Sequence, residues 1–169
     1  MIFKKKITIK LTETIENELK NLYRYAYYRL GDKQDAEDII QNLYLSMYSK
    51  GEQLNEIENL KSYIYRALSN NCTLLLRKRQ QNNTISIEGT ELTNIAETEP
   101  RNIEEEFNLI NTLLDIIPDE QSEVIRLHIH GNRTFVDIAD ILKIPITTAK
   151  SRFKYGIEKL RKEIEKADI

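Results

Sequence analysis

The chain has 169 residues, 40% of them hydrophobic and 31% charged, with five glycines, three prolines and a formal net charge of −2. So few backbone breakers amid much Leu, Ile, Lys and Glu exclude a turn-rich β fold and favour helices. No apolar run approaches the roughly 18 to 20 residues of a membrane span, and a net-negative chain does not coat nucleic acid by charge alone.

In chain order, Ile15, Leu19, Leu22, Ala26 and Leu30 recur at steps of three and four, the period of one helix face. Gly31 stands where a helix end favours a left-handed residue. Asp32, with Asp35 three residues on, is a good start for the next helix, whose stripe is Ala36, Ile39 or Ile40, Leu43 and Met47. Ser49 to Asn59 reads as a polar loop. A third stripe, Leu60, Ile64, Ala67 or Leu68, and Leu75, runs into Arg77, Lys78 and Arg79. From Gln80 to about Asn102 the period fades into Asn, Thr and Glu, closed by Pro100, which reads as a linker.

The second half is again helical. Ile103, Phe107, Ile110, Leu114 and Ile117 form a stripe that Pro118 stops. Asp119 and Glu120 suit the positive end of a helix carrying Val124, Leu127 and Ile129. Thr134 with Asp137 looks like a capping box for a short helix with Ile138, Ala139, Ile141 and Leu142. Lys143-Ile144-Pro145 breaks it. A last helix opens at Thr147 or Thr148, with Ala149, Phe153, Ile157, Leu160 and Ile164 on its apolar face.

A short helix, a tight turn and a longer helix with a basic outer face form a helix-turn-helix. The small Ala139 permits close packing, and Ile144 can plug the angle between the helices. Thr147, Thr148, Lys150, Ser151, Lys154 and Tyr155 then sit near the free side of the first turns, which meet base edges in a major groove. Arg152, Lys159, Arg161 and Lys162 read as phosphate contacts or solvated charge. A solvated basic helix is the plain alternative; the capped helix and the proline turn before it favour DNA.

Two stretches make the chain resemble the extracytoplasmic-function (ECF) sigma factors of bacterial RNA polymerase. Asp35-Ala36-Glu37-Asp38-Ile39-Ile40-Gln41 resembles the family's polymerase-clamp motif, and Ile117 to Gln121 followed by Thr134 to Arg152 resembles its fourth-region helix-turn-helix. The resemblance implies an all-α protein of two small helical domains joined by a flexible linker, with boundaries at 1–81, 82–102 and 103–169. It implies core RNA polymerase as partner, through the β′ clamp helices and the β flap, together with promoter DNA and, as is common in the family, an anti-sigma factor. Asp35, Asp38 and Gln41 are the implied core-binding residues. Asn59 to Asn70 is similar to the segment that melts the −10 element. There Tyr63, Asn70 and the Ser49–Asn59 loop hold a flipped base, and Lys61, Arg66, Arg77, Lys78 and Arg79 hold the backbone. The resemblance assigns −35 reading to Thr147, Thr148, Lys150, Ser151, Arg152, Lys154 and Tyr155.

The sequence departs from its relatives at several places. Tyr63 stands where many have Trp, Asn42 where they have an acid, Leu74 where they have a polar residue, and Lys150 and Tyr155 where they often have Arg. A distinct −35 preference is expected. The linker of about 20 residues reaches roughly 65 to 70 Å when extended, about the two helical turns between the promoter elements. Its Glu88, Glu91, Glu97 and Glu99 would repel DNA.

The rival reading is a stand-alone helix-turn-helix regulator whose N-terminal half dimerises on a palindrome. An enzyme is disfavoured: the chain has no glycine-rich phosphate loop, nucleophile motif or metal cluster, and no catalytic residue, cofactor or metal is expected. His128 and His130, two apart, point different ways and read as rim residues. Cys72 reads as a small buried filler, and the clustered tyrosines, such as Tyr23, Tyr25, Tyr27 and Tyr28, as packing or rim residues. One cysteine and no apolar signal core in Met1 to Lys10 point to the cytoplasm.

Overall fold

A computed structural model describes residues 2–83 and 103–167. Most of the expected linker, with its glutamates and Pro100, lies outside the described residues. Among those residues there are seven α-helices and no strand.

Helix α1 (Ile2–Leu30) turns Leu11, Ile15, Leu22, Tyr25, Ala26 and Leu30 inward. Leu19, expected in that stripe, is 47% exposed, and Glu18 is buried instead. Positions 18 and 19 both satisfy the three-and-four spacing between Ile15 and Leu22, so the period alone cannot choose between them. Glu18 wins because three donors await its carboxylate, as described below.

Gly31 adopts φ +77° and its N–H donates to the Tyr27 carbonyl at 2.9 Å, closing α1 as expected. Asp32 then caps α2 (Lys33–Lys50), its carboxylate accepting from the Asp35 N–H at 2.9 Å. Ala36, Ile39, Ile40, Leu43 and Met47 are all buried. The expected polar loop after Lys50 is in part a 3₁₀ turn, Gly51–Glu56, pinned by buried Leu54.

Helix α3 (Leu60–Asn83) is capped by Asn59, whose side-chain oxygen accepts from the Ser62 N–H at 3.1 Å. It buries Leu60, Ile64, Tyr65, Leu68 and Cys72. It also continues through Gln80 to Asn83, where a linker was expected. The loss of apolar period there marks the end of core contact rather than the end of the helix.

The second half holds α4 (Ile103–Asp115), α5 (Asp119–Ile129), α6 (Phe135–Leu142) and α7 (Ile146–Ala167). The side chains of Ile103 and Phe107 lie outside the described residues. In α5, Val124, Ile125 and Leu127 are buried while Ile129, expected inward, is 47% exposed. Two residues on from Leu127 is about 200° around the helix, off the buried stripe. In α7, Ala149 and Gly156 are buried and Phe153, Ile157 and Leu160 pack against the core, whereas Ile164 is exposed.

One apolar cluster runs through both halves: Leu22, Tyr25, Leu68 and Cys72 join Val124, Leu127, Ile138, Ile141 and Ala149. A smaller one, Leu114, Ile117 and Ile125, ties α4 and α5 to α7. The helical domains therefore pack together, α6 against α3, and α4 and α5 against α1.

The turn from α5 to α6 depends on buried Gly131. A Cβ there would lie 2.8 Å from the Leu127 carbonyl oxygen, a backbone atom that cannot swing aside. We expect Gly131→Ala to cost about 1–3 kcal/mol, as for other overpacked sites. The shift of the urea midpoint measures it, and an unchanged midpoint would show that the turn relaxes freely.

Candidate nucleic-acid interface

The helix-turn-helix is built by local rules. The Thr134 hydroxyl accepts from the Asp137 N–H and the Asp137 carboxylate from the Thr134 N–H, both at 3.1 Å, the expected capping box. Helix α6 ends at Lys143, left-handed at φ +55°, and the Ile144 N–H returns to the Ala139 carbonyl at 3.0 Å. Ile144 packs on the core, and Ala149 of α7 is fully buried beside α6.

This leaves one face of α7 in solvent. Thr147, Lys150, Lys154 and Tyr155 are exposed, Tyr155 by 58%. They follow one another at steps of three, four and one, so they form a row along the first three turns. Thr148 and Ser151 are half-buried at its edge, and the Ser151 hydroxyl donates to the Thr147 carbonyl at 2.7 Å. Arg152 is not part of the free face: its guanidinium meets Glu120 at 3.0 Å and braces α7 against α5.

The other expected DNA residues lie on or beside α3 and are not all free. Asn70, Arg77 and Lys78 are exposed. Tyr63 is half-buried, with the Lys50 ammonium 5.9 Å from its ring centre. A cleft lined by Ile57, Glu58, Asn59, Tyr63 and Arg66 also takes in Asp140 and Lys143 of the helix-turn-helix, and Asn70 does not line it. Lys61 pairs with Glu18 at 3.0 Å. Arg66 donates to the Asp140 and Ile141 carbonyls at 2.7 and 2.8 Å. Arg79 donates to the Leu30 carbonyl at 2.8 Å and pairs with Asp35.

Asp35 and Asp38 line one groove between α2 and α3, with Ile39, Asn42, Leu74 and Lys78. Gln41 lines another, between α1 and α2, with Leu19, Tyr23 and Ile40. Six residues along a helix is about 120° of rotation, so Asp35 and Gln41 look to different sides of α2.

The histidines are packing residues. His128 stacks on Phe135, ring centres 4.6 Å apart. His130, expected at the rim, is 5% exposed and stacks on Tyr28 at 3.7 Å. Burial, then the charges of Arg24 and Arg126, push its proton affinity down from 6.5 to about 4. Between those values the unfolded chain binds the proton and the folded chain does not. Stability is therefore expected to fall as pH drops from about 6.5 to about 4, by up to about 3 kcal/mol. Urea titrations across that range check it: His130→Phe, which keeps the stack, should flatten the profile, and an equally steep profile in the variant would exclude His130 as its source.

Sequence reasoning missed two carboxylate clusters. Glu18 accepts from the Tyr65 hydroxyl at 2.7 Å and meets Lys61 and Arg133 at 3.0 Å each. Burial opposes its charge, but hydrogen bonds from Tyr65 and Lys61 and the nearby Arg133 prevail and hold its pKa below the usual carboxylate value. Glu123 accepts from the Tyr25 and Ser69 hydroxyls, the latter at 2.8 Å, and faces Arg29 at 3.7 Å. Cys72, near Glu123, is buried as expected and its thiol is pushed up to about 12. The only available signal was an acid at a position fitting an apolar stripe. Among the described residues no group of His, Cys, Asp or Glu is placed to hold a metal, and no helix is long and apolar enough to cross a membrane.

Comparison with known proteins places this geometry. A model of sigma-70 region 2 matches residues 14–82 and one of sigma-70 region 4 matches residues 113–162. The ECF RNA polymerase sigma factor SigW of Bacillus subtilis (strain 168) is 29% identical over 154 residues, covering 85% of this chain and 82% of its own. The RNA polymerase sigma factor SigV of the same strain is 24% identical over 168 residues, covering 98% and 99%. Among solved structures, the sigma factor RpoE in complex with the anti-sigma factor NepR from Bartonella quintana superposes with a TM-score of 0.67 at 20% identity, over 92% of this chain and 97% of that one. CnrH in complex with the cytosolic domain of CnrY gives 0.71 at 14% identity, over 97% and 96%.

Proposed function

The chain belongs to the sigma-70 family, as a sigma factor of the ECF type, and from that premise we propose how its residues do the work: α7 reads the −35 element, the α3 side reads and melts the −10 element, and α2 docks on core RNA polymerase. The observation that carries the reading is the solvent-facing row Thr147, Lys150, Lys154 and Tyr155 on the second helix of a capped helix-turn-helix, in one chain with a region 2 unit. Lysines and hydroxyls at the start of such a helix can donate to base-edge acceptors in the major groove. Thr148 and Ser151 flank that row, and Arg152 would have to leave Glu120 to join it.

At the −10 element, Tyr63 offers a stacking surface and Asn70 a hydrogen-bonding amide for an extruded base. Lys61, Arg66, Arg77, Lys78 and Arg79 offer cations for the backbone. Asp35, Asp38 and Gln41 meet core enzyme at the β′ clamp helices, and the helix-turn-helix domain meets the β flap. The sigma subunit itself performs no covalent chemistry and acts in the cytoplasm. An anti-sigma factor is a further partner, as for the relative solved with NepR.

A net charge of −2 makes the free chain as a whole a weak binder of DNA. Attachment to core enzyme raises the effective concentration of both domains at the promoter, so the pair can be specific where neither is alone. Gel filtration with sigma-free core polymerase, followed by footprinting, tests this. Co-elution and protection of two elements only in the complex are expected. Tight binding of the chain alone to a palindrome, with no association with core, would favour the stand-alone regulator.

A further inference from the structure

Three of the cations proposed for the −10 backbone are held by other groups of the chain: Lys61 by Glu18, Arg66 by the Asp140 and Ile141 carbonyls, and Arg79 by Leu30 and Asp35. Three others, at the start of α1, are not. Lys5, Lys6 and Lys10 are exposed, and none of their ammonium groups meets a carboxylate among the described residues.

Their placement does not serve the helix. Lys6 and Lys10 are four residues apart, where like charges repel. Helix α1 has no acid in its first turn, and its first acid is Glu13, so these cations stand near the positive end of the helix dipole with nothing to offset them. They cover no core either: among the described residues the buried side of α1 begins at Leu11, and Ile9, beside the lysines, is 50% exposed. Dipole and ammonium groups add into one positive potential at one end of the bundle.

That end is also the end of the Tyr63 cleft. Helices α1 and α2 are joined by Gly31 and Asp32 alone and run antiparallel, with the Thr12 and Tyr44 hydroxyls meeting across them at 3.3 Å. Lys5 stands seven residues before Thr12, on nearly the same face and about 10 Å along the axis. Lys50 stands six residues after Tyr44, about 9 Å along its own axis. In an antiparallel pair both steps run the same way, so Lys5 and Lys50 are level. Helix α1 packs on the 3₁₀ turn that follows Lys50, and the Lys50 ammonium is 5.9 Å from the Tyr63 ring centre.

Resting on the sigma-factor reading and extending it, we propose that Lys5, Lys6 and Lys10, with Lys50, form a phosphate track for the separated DNA strand next to the base extruded at Tyr63. The ligand is the sugar-phosphate backbone of one strand. Lysine suits it, because a compact charge on a flexible stem follows phosphates that have no fixed array. Glu52, Glu56 and Glu58 are exposed on the turn between Lys50 and Tyr63, and their repulsion confines the strand to the α1 side. Such contacts are blind to sequence, so the track strengthens opening without choosing the promoter.

The test uses Lys5→Ala, Lys6→Ala and Lys10→Ala together in the full-length chain bound to core polymerase. Permanganate reactivity of unpaired thymines on a promoter reads strand opening over a salt series. Losing three single-strand phosphate contacts should lower the salt dependence of open-complex stability by about two units, and the stability itself by about tenfold or more at about 0.1 M salt. Co-elution with core enzyme should be unchanged. The triple arginine variant, Lys5→Arg, Lys6→Arg and Lys10→Arg, keeps the charge and should restore both values. An unchanged salt slope in the alanine variant, with the parent opening the promoter, overturns the track and leaves the sigma-factor reading intact. An unchanged slope together with lost co-sedimentation on vesicles of anionic phospholipid also overturns it, and assigns the lysines to a lipid surface. A parent that opens no promoter overturns the sigma-factor reading and the track with it.

Discussion

Lys150→Ala combined with Lys154→Ala is expected to lower −35-dependent transcription by about a hundredfold or more, with little change in fold or in binding to core enzyme. Both ammonium groups are on the exposed face of α7, where truncation removes no buried packing. A lost base contact costs about 1–3 kcal/mol, and each 1.4 kcal/mol is about tenfold, so two contacts reach that range. The kind of contact is also readable. A lysine on a base edge changes the preferred −35 sequence when removed, whereas one on a phosphate weakens all promoters alike and lowers the salt dependence by about one unit. Promoter activity equal to the parent's would remove α7 from the proposed role.

Asp38→Arg is expected to weaken binding to core polymerase by on the order of a hundredfold or more, since a like charge set against a cationic partner costs several kcal/mol. Asp38 is exposed, and its hydrogen bond is with neighbouring Gln34 at 3.0 Å. Reversing its charge therefore breaks no tertiary contact. Asp35 is the poorer choice for this experiment, because it also holds Arg79 at the junction of α1, α2 and α3. Asn42 lies in the same groove as Asp38 and Lys78, so it is the natural place to restore a charge: Asn42→Asp should tighten the complex modestly. Undiminished co-elution of Asp38→Arg with core enzyme would detach this groove from the clamp contact.

Much of the fold was legible because it rests on short-range rules. The Gly31 end, the Asp32 cap, the α2 stripe and the Thr134–Asp137 box each depend on residues within four positions of one another, and each stands where the sequence puts it. The errors came where a long-range partner decides. Leu19 and Glu18 compete for one inward position, and Tyr65, Lys61 and Arg133 settle it from far along the chain. Ile129 and His130 exchange expected roles because Tyr28, on another helix, supplies a stacking partner. Leu54 converts part of a polar loop into an anchored turn by finding the core.

The same distinction governs the site. The row on α7 was readable from helical period and the turn before it, because its proposed role requires only exposure and spacing. The state of the α3 residues was not, because Arg66, Lys61 and Arg79 are engaged by groups 43 to 75 positions away. Family resemblance supplies the roles proposed for such residues on a promoter, and the structure adds the partners that hold them here. The acidic clusters at Glu18 and Glu123 connect the two descriptions, since the donors they hold are adjacent to the proposed −10 face.

Promoter-specific initiation is tested by sequencing the transcripts that sigma-free core polymerase makes with this protein on fragmented genomic DNA. Discrete start sites that share two upstream motifs about two helical turns apart are expected. Starts no more specific than those of core enzyme alone would contradict it.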